Sequence, residues 1–343
     1  MKHVRTEQGR VRLLSLGIIL AVAALLLSPI QVWAWGSATH AHVADNLGAS
    51  SGQVNLNEIY GAMGLDSFNF LFGSPYQAQL DDLAHHQSLK VWQAAQGGSQ
   101  AALAAAYGFM SHNDDWGADY TAHHHGRYYG LAEGYVIAKT NELVASSPIL
   151  AGLGLPDAVA TELAYMMVET GVDVLIQPLN PQIGQKIMDS TVQRTSQFPA
   201  LLVQAYANEL PLPYLDAAAL IQGAEAQFND LMYWYGYALT FPQDAAVQLL
   251  AGQFADLASL YLASYGIDLP LPKDEIALIL GNIIGEAMIL CQADFAEEIR
   301  LTISFVDDQL SQHGVTPVPL PSSIVMLAPF ILGLGWQTRR HLA

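Results

Sequence analysis

Residues 110–126 read MSHNDDWGADYTAHHHG. Within this stretch His112, Asp115, Asp119 and His123 follow one another at intervals of three, four and four residues. At about 100° per residue, this spacing puts all four side chains on one stripe of an α-helix. Imidazole nitrogens and carboxylate oxygens bind zinc at about 2.0–2.2 Å. The stretch therefore predicts a helix that carries metal ligands.

The distance between two of these side chains leaves two alternatives open. His112 and Asp119 are seven residues apart, which corresponds to a rise of about 10.5 Å on a straight helix. They can serve one ion only if Asp115 contributes or if the helix is irregular at Trp116-Gly117, where an aromatic residue precedes a glycine.

The rest of the chain predicts an all-α protein. Of the 343 residues 52% are apolar, and long stretches rich in Ala, Leu, Gln and Met have helical periodicity. Prolines separate these stretches, and we expect a compact multi-helix bundle. The predicted helices are 38–48, 76–96, 98–115, 118–145, 156–176, 181–208, 213–239, 243–264 and 272–312.

Both ends of the chain predict export. Residues 1–34 have a basic start, an apolar stretch and small residues before Trp35, which is typical of a cleaved signal peptide. Residues 315–343 combine a Pro-rich motif, a short apolar segment and terminal arginines, and they resemble the exosortase-type (PEP-CTERM-like) sorting signals of Gram-negative bacteria. An uncleaved N-terminal anchor and a plain C-terminal transmembrane anchor are the alternatives. We expect a periplasmic, cell-surface or extracellular protein that contacts the membrane and a sorting enzyme through its C-terminus.

The charge of the chain argues against nucleic acid as a partner. The net charge is −18. Residues 35–314 contain 7 basic and 30 acidic residues. An acidic body disfavours nonspecific nucleic-acid binding by counterion release, so no specific nucleic-acid binding is expected. The single cysteine, Cys291, excludes an internal disulfide and a Cys-based zinc site.

Further candidate ligands lie outside the opening stretch. Asp66 is in a loop-like segment, His85 and His86 are adjacent, and Glu169 and Asp173 are spaced i and i+4 among apolar residues. Carboxylates in apolar surroundings need partners, and Lys and Arg are scarce in this body. Cleavage before Trp35 would also free an α-amino group that can chelate a metal together with its own carbonyl, close to His40.

The order of these residues resembles the zinc-dependent phospholipase C family and its relatives, the trinuclear zinc nucleases. The resemblance covers about residues 35–175, and it implies an all-α domain over 35–205, a multi-helix bundle around a multinuclear zinc cleft. Because residues 209–213 read as a possible seam between two helical halves, we expect a helical extension over 206–314 packed on this domain. The resemblance also implies up to three Zn²⁺. The ligands would be Trp35, His40, Asp66, His85, His112, Asp119, His123, Glu169 and Asp173. A gapless comparison would place Asp115 in the position of His112. Asp115, His86, His124 and His42 are further candidates, as ligands or as groups that orient the ligand imidazoles.

The resemblance implies hydrolysis of a phosphodiester by a water that the metals activate, with Asp66 as the catalytic residue that orients or deprotonates this water. A phospholipid headgroup ester is the expected substrate. A zinc nuclease or 3′-nucleotidase with the same site is one alternative. A non-catalytic, zinc-stabilised surface protein, which would bind metal without turnover, is another.

Overall fold

The computed structural model describes residues 35–48, 55–128, 133–264 and 271–317. The predicted signal peptide lies outside the described residues, and so does the C-terminal tail from residue 318. Within the described ranges the chain forms fifteen α-helices and two short 3₁₀ helices and no strand, which confirms the all-α prediction. The helices are α1 Ser37–Gly48, α2 Leu56–Gly64, α3 Gln77–His86, α4 Leu89–Ala95, α5 Gln100–His112, α6 Ala118–His123, α7 Tyr135–Ser146, α8 Pro148–Leu153, α9 Asp157–Leu175, α10 Ile183–Gln193, α11 Phe198–Tyr206, α12 Tyr214–Ala238, α13 Gln243–Ser264, α14 Lys273–Cys291 and α15 Phe295–Gln312.

Several predicted long helices are pairs of shorter ones. The segment 76–96 is divided between α3 and α4, and 118–145 is divided between α6 and α7. Side-chain caps mark the starts of two other helices: at α5 Ser99 accepts a hydrogen bond from the Ala102 amide, and at α8 Ser147 accepts one from the Leu150 amide. Apolar periodicity continues across such breaks, so the periodic pattern did not reveal them.

Two glycines let α2 and α5 approach closely. A Cβ on Gly61 would lie 1.9 Å from the Ala105 carbonyl oxygen, and a Cβ on Gly108 would lie 1.9 Å from the Glu58 carbonyl oxygen. Only residues without a side chain allow this backbone contact. It brings the end of α5, and His112 with it, against the carbonyl of Ala62.

The chain turns sharply between α5 and α6. The Asn113 Oδ1 atom accepts hydrogen bonds from the amides of Asp115 and Trp116, at 3.1 and 3.0 Å. This Asx-type turn competes with helix continuation. A Cβ on Gly117 would lie 2.5 Å from the carbonyl oxygens of His112 and Asn113, so the turn needs glycine there. The expectation of one continuous helical stripe is therefore wrong, and the alternative of an irregularity at Trp116-Gly117 holds.

One hydrophobic core includes residues from both proposed segments. Ile59 and Met63 of the first segment and Phe228 and Ile284 of the second belong to the same cluster of buried side chains. The division near residue 205 stays a prediction. Among the described residues, no single helix has the length and apolar composition to cross a membrane; α14 and α15, bent by 75° at their junction, meet that criterion only when taken together.

Candidate metal centre

Five metal-type side chains from five separate segments converge inside the protein. Each segment contributes one residue from near its end or from a short turn of helix. The contributions are His40 from α1, Asp66 from the 3₁₀ helix Leu65–Phe68, His85 from the last turn of α3, His112 from the end of α5, and Asp119 from the first turn of α6. They form two overlapping groups with ligand atoms within 4.8 Å of one another, namely His40, Asp66 and His112, and His85, His112 and Asp119.

Asp119 lies at the middle of this cluster. Its Oδ1 atom is 3.0 Å from Nε2 of His40. Its Oδ2 atom is 2.9 Å from Nε2 of His112 and 3.4 Å from Nε2 of His85. Asp66 belongs to the first group, and its Oδ1 atom is 3.7 Å from His112 Nε2 and 3.8 Å from His85 Nε2. Two ligand atoms on one tetrahedral zinc ion lie about 3.3–3.6 Å apart, so these spacings fit a shared cation.

The facing atoms of the cluster lack hydrogen bonds. Within the described structure, Nε2 of His40, His85 and His112 and both carboxylate oxygens of Asp119 are buried without a hydrogen-bond partner. Buried polar atoms without partners are costly, and an ion or another ligand is the usual explanation. Because a cation would satisfy all five atoms at once, the donor set fits a metal centre.

The opposite ring nitrogens of two histidines fix their tautomers. Nδ1 of His112 lies 2.6 Å from the Ala62 carbonyl oxygen, and Nδ1 of His85 lies 2.9 Å from the Asp81 carbonyl oxygen. A carbonyl only accepts, so each Nδ1 carries a proton, and in the neutral form of each ring Nε2 would offer its lone pair to a cation. Hydrogen bonds of this kind orient metal-binding imidazoles. The rings of His40 and His112 stack with their centroids 3.5 Å apart.

Mutual electrostatics shift the pKa values of the cluster strongly. Burial favours the neutral acid in Asp119, but His112 and His40 outweigh it and hold the pKa of Asp119 well below its ordinary value. Burial raises the pKa of Asp66 to about 6. Burial lowers the pKa of His85, yet the carboxylates of Asp81 and Asp119 outweigh it and raise that pKa well above the usual range. The cluster therefore holds more protons than free side chains would, and a bound dication would displace them.

Glu169 lies beside this cluster on α9 and is buried, with its Oε1 atom unpartnered within the described structure. Burial raises its pKa well above the ordinary value, and the neighbouring carboxylates of Asp66 and Asp173 add to the shift. The ion pairs that Lys and Arg form in the described structure involve other carboxylates. Glu169 therefore lines the cavity with Asp66 without a Lys or Arg partner among these pairs, but it belongs to none of the groups whose ligand atoms lie within 4.8 Å of one another.

A cavity of about 380 Å³ opens onto the cluster through Asp66 and Glu169. Trp35, Gly36 and Ser37 form part of its rim. The opposite wall is mostly apolar and comes from helices α12 and α13; it contains Leu231, Met232, Trp234, Tyr235, Phe254 and Leu257. The segment 206–314, which carries no recognisable motif, thus supplies one side of the cleft.

Asp173 has a different environment from the other predicted ligands. It accepts four hydrogen bonds, from the amides of Ala38 and Thr39, the hydroxyl of Thr39 and the hydroxyl of Tyr235. The Trp35 side chain is also fixed, because its Nε1 donates to the Thr121 hydroxyl at 3.0 Å and its ring stacks on Tyr135. Asp173 and Trp35 thus lie at the edge of the centre, around the start of α1.

His123 lies in a separate cluster. Its Nδ1 atom is 2.6 Å from Asp114 Oδ1, and His124 Nε2 is 3.0 Å from Asp114 Oδ2. These three residues form a third group that could hold a metal ion, closer to the surface. The Nε2 atom of His123 contacts the hydroxyl of Tyr165. His123 therefore belongs to this third group and not to either of the two groups that contain His112.

The remaining candidates lie outside the centre. Asp115 and His86 are both exposed and pair with each other at 2.9 Å. The side chain of His42 contacts Asn46 and Asn180 on the other side of α1.

Sequence reasoning missed Asp81, whose carbonyl orients His85, and Tyr235, which holds Asp173. Neither stands in a motif, and only the fold brings each one to the site.

No protein family, no curated protein and no solved structure gives a match to this chain. The fold and the site define an all-helical protein with overlapping buried His/Asp groups that could hold metal ions.

Proposed function

We propose that the chain is an exported, zinc-dependent phosphodiester hydrolase of the phospholipase C type. One observation carries the proposal: the two oxygens of Asp119 face His40 on one side and His85 and His112 on the other, and all of these atoms are buried without hydrogen bonds. Such a carboxylate suits a bridge between two cations, which is the arrangement used for in-line displacement at phosphorus. The number of ions expected is up to three.

Zinc ions held by these residues would supply an activated water and would neutralise charge on the phosphodiester oxygens. The protein side chains have separate tasks around them. Asp66 faces the cavity and is the most exposed carboxylate of the cluster, so it is the group placed to orient the attacking water and to accept its proton. Asn69 donates to Asp66 Oδ1 at 3.0 Å and fixes its orientation.

The lining of the cleft supports a lipid substrate over a polynucleotide. Its wall of leucine, methionine and aromatic side chains suits the apolar part of a phospholipid. No Lys or Arg is among the described residues that line it, whereas binding of a polynucleotide backbone relies on basic groups. A nuclease reaction therefore has less support than a phospholipase reaction.

Export and membrane contact complete the proposal. The basic and apolar residues of segment 1–34 support cleavage before Trp35, and the apolar stretch after residue 323 supports a membrane segment or a sorting signal at the C-terminus. Partners would then be a phospholipid at a membrane surface and the enzyme that processes the tail.

The test compares substrates with one zinc-loaded preparation of the exported protein. We expect release of a phosphorylated headgroup from phospholipid vesicles, loss of this activity with a chelator, and little hydrolysis of single-stranded DNA or RNA. Preferred hydrolysis of the nucleic acids would replace the phospholipase proposal with the nuclease. Zinc binding without hydrolysis of either substrate would contradict both the phospholipase and the nuclease proposals, and it would support a non-catalytic, zinc-stabilised surface protein.

A further inference from the structure

We propose that Asp173 is not a metal ligand but a positioning residue that anchors the start of α1, and that Tyr235 of α12 is part of the same anchor. The anchor would hold Trp35 and His40 at the metal centre. The expected effect on zinc binding rests on the proposed function, whereas the expected effect on hydrogen exchange does not.

The hydrogen bonds of Asp173 leave no lone pair for an ion. Oδ1 accepts from the Thr39 amide at 2.8 Å and from the Thr39 hydroxyl at 2.7 Å. Oδ2 accepts from the Ala38 amide and from the Tyr235 hydroxyl, both at 2.7 Å. A carboxylate offers about four lone-pair sites, two on each oxygen. All of them are occupied by donors from the protein, in contrast to the unpartnered oxygens of Asp119.

The donors identify the role of the carboxylate. Ala38 and Thr39 are in the first turn of α1, where amide groups lack intrahelical partners. Asp173 satisfies these amides from a distant helix, as a capping side chain would, and its negative charge lies at the positive end of α1. His40 follows directly in the chain, and its Nε2 is 3.0 Å from Asp119 Oδ1.

The backbone of α1 has little freedom to approach Asp173 differently. A Cβ on Gly36 would lie 2.5 Å from Asp173 Oδ2, so the contact requires glycine at this position. Residues 35–37 also form part of the cavity rim. A shift of α1 away from Asp173 would therefore displace the main chain of Trp35 and the ring of His40 together.

Tyr235 connects the second helical segment to this anchor. It is buried, its hydroxyl donates to Asp173, and its ring is part of the cavity wall. A helix from the segment without motifs would therefore contribute to metal binding through Asp173 without contacting an ion.

The experiment uses the variant Tyr235→Phe, which removes one hydroxyl, beside Asp173→Asn and His40→Ala. Zinc retained per chain is measured by mass spectrometry across a series of chelator concentrations. We expect Tyr235→Phe to weaken the most weakly held ion by about tenfold and to leave the other zinc bound. His40→Ala should remove that same ion, and adding Tyr235→Phe to His40→Ala should cause no further loss. Tyr237→Phe, an exposed tyrosine on the same helix, is the matched control and should match the unaltered protein.

Hydrogen exchange of the segment 35–45 provides the second readout, with and without metal. The anchor predicts faster exchange in Asp173→Asn and Tyr235→Phe in both states, since the hydrogen bonds do not depend on zinc. Unchanged exchange in both variants would overturn the anchor. Zinc affinity that falls in Asp173→Asn and is unaltered in Tyr235→Phe would also overturn it, and would make Asp173 a ligand. Absence of zinc from the unaltered protein would contradict the proposed function, while the exchange measurement would still decide the anchor.

Discussion

Nε2 of His112 lies 2.9 Å from Oδ2 of Asp119, although six residues and a helix break separate them. The break makes this contact, because α5 ends at His112 and α6 brings Asp119 back toward it after the turn at Asn113. The Asp119 carboxylate thereby lies among three imidazoles, those of His40, His85 and His112. The following predictions test the consequences of this geometry.

The first prediction concerns the bridge itself. Asp119→Asn should lower phosphodiesterase activity by at least about a hundredfold, because the amide cannot bridge two cations. Metal analysis of the purified variant should show loss of more than one ion. Asp115→Asn is the matched control in the same segment, since Asp115 is exposed and pairs with His86. Equal loss of metal in both variants would contradict the assignment.

Adjacent histidines provide a second test. His85→Gln should lower zinc content by about one ion, because His85 is buried and its Nε2 faces Asp119 and Asp66. His86→Gln should leave zinc content unchanged, since its ring is on the surface. Metal analysis of the two proteins, prepared in parallel, decides which of the neighbours is the ligand.

The third prediction concerns stability against pH in metal-free protein. Glu169 and His85 both have pKa values raised in the folded state, so the folded protein binds more protons than the unfolded chain above about pH 6.5. Stability should therefore fall as pH rises from about 6.5 to 8. Urea unfolding with a chelator present should show a smaller fall for Glu169→Gln. Glu58, whose pKa burial raises to about 8, contributes in the same direction and should account for part of the remaining slope.

Saturating zinc should reverse this trend, because the dication replaces the protons and its binding improves as they leave. A metal-free protein whose stability rises over the same pH range would contradict the pKa assignments.

The fourth prediction concerns the glycine beside Asp173. Gly36→Ala should destabilise the protein by about 1–3 kcal/mol, since the added methyl group overlaps the carboxylate. Gly152→Ala in α8 is the control, because a Cβ there meets nothing within 4 Å; it should be neutral or stabilising by up to about 1 kcal/mol. Urea unfolding measures both.

The fifth prediction tests the apolar wall of the cleft. Leu257→Gln should raise KM for a phospholipid by about tenfold, because an apolar contact is lost. It should leave hydrolysis of a small soluble phosphodiester unchanged. Leu249→Gln alters an exposed leucine of the same helix and should leave both reactions unchanged. A similar effect of Leu257→Gln on both substrates would indicate damage to the centre rather than to the wall.

Sequence reasoning predicted helix type well and helix ends less well. Amphipathic periodicity identified α12 and α13 almost to the residue, because prolines precede both of them. It did not identify the end of α6 at His123, although Gly126, Gly130 and Gly134 follow in the sequence and disfavour a continuous helix.

The candidate site was also predicted only in part from the sequence. Residue chemistry singled out His40, Asp66, His85, His112 and Asp119, and the structure brings these five together. The assumption of one helical stripe misplaced Asp115, because the Asx-type turn at Asn113 overrides the periodicity. Asp173 and Tyr235 are 62 positions apart in the chain and meet through the packing of α9 and α12, which no local pattern contains.

The most direct test of the metal centre is the zinc content of the exported protein with Trp35 as its first residue, measured by mass spectrometry of the intact native chain. The account predicts about two to three zinc ions per chain, with Asp119→Asn losing more than one of them. Less than about one ion per chain, after dialysis against buffer containing zinc, would contradict a multinuclear centre at Asp119.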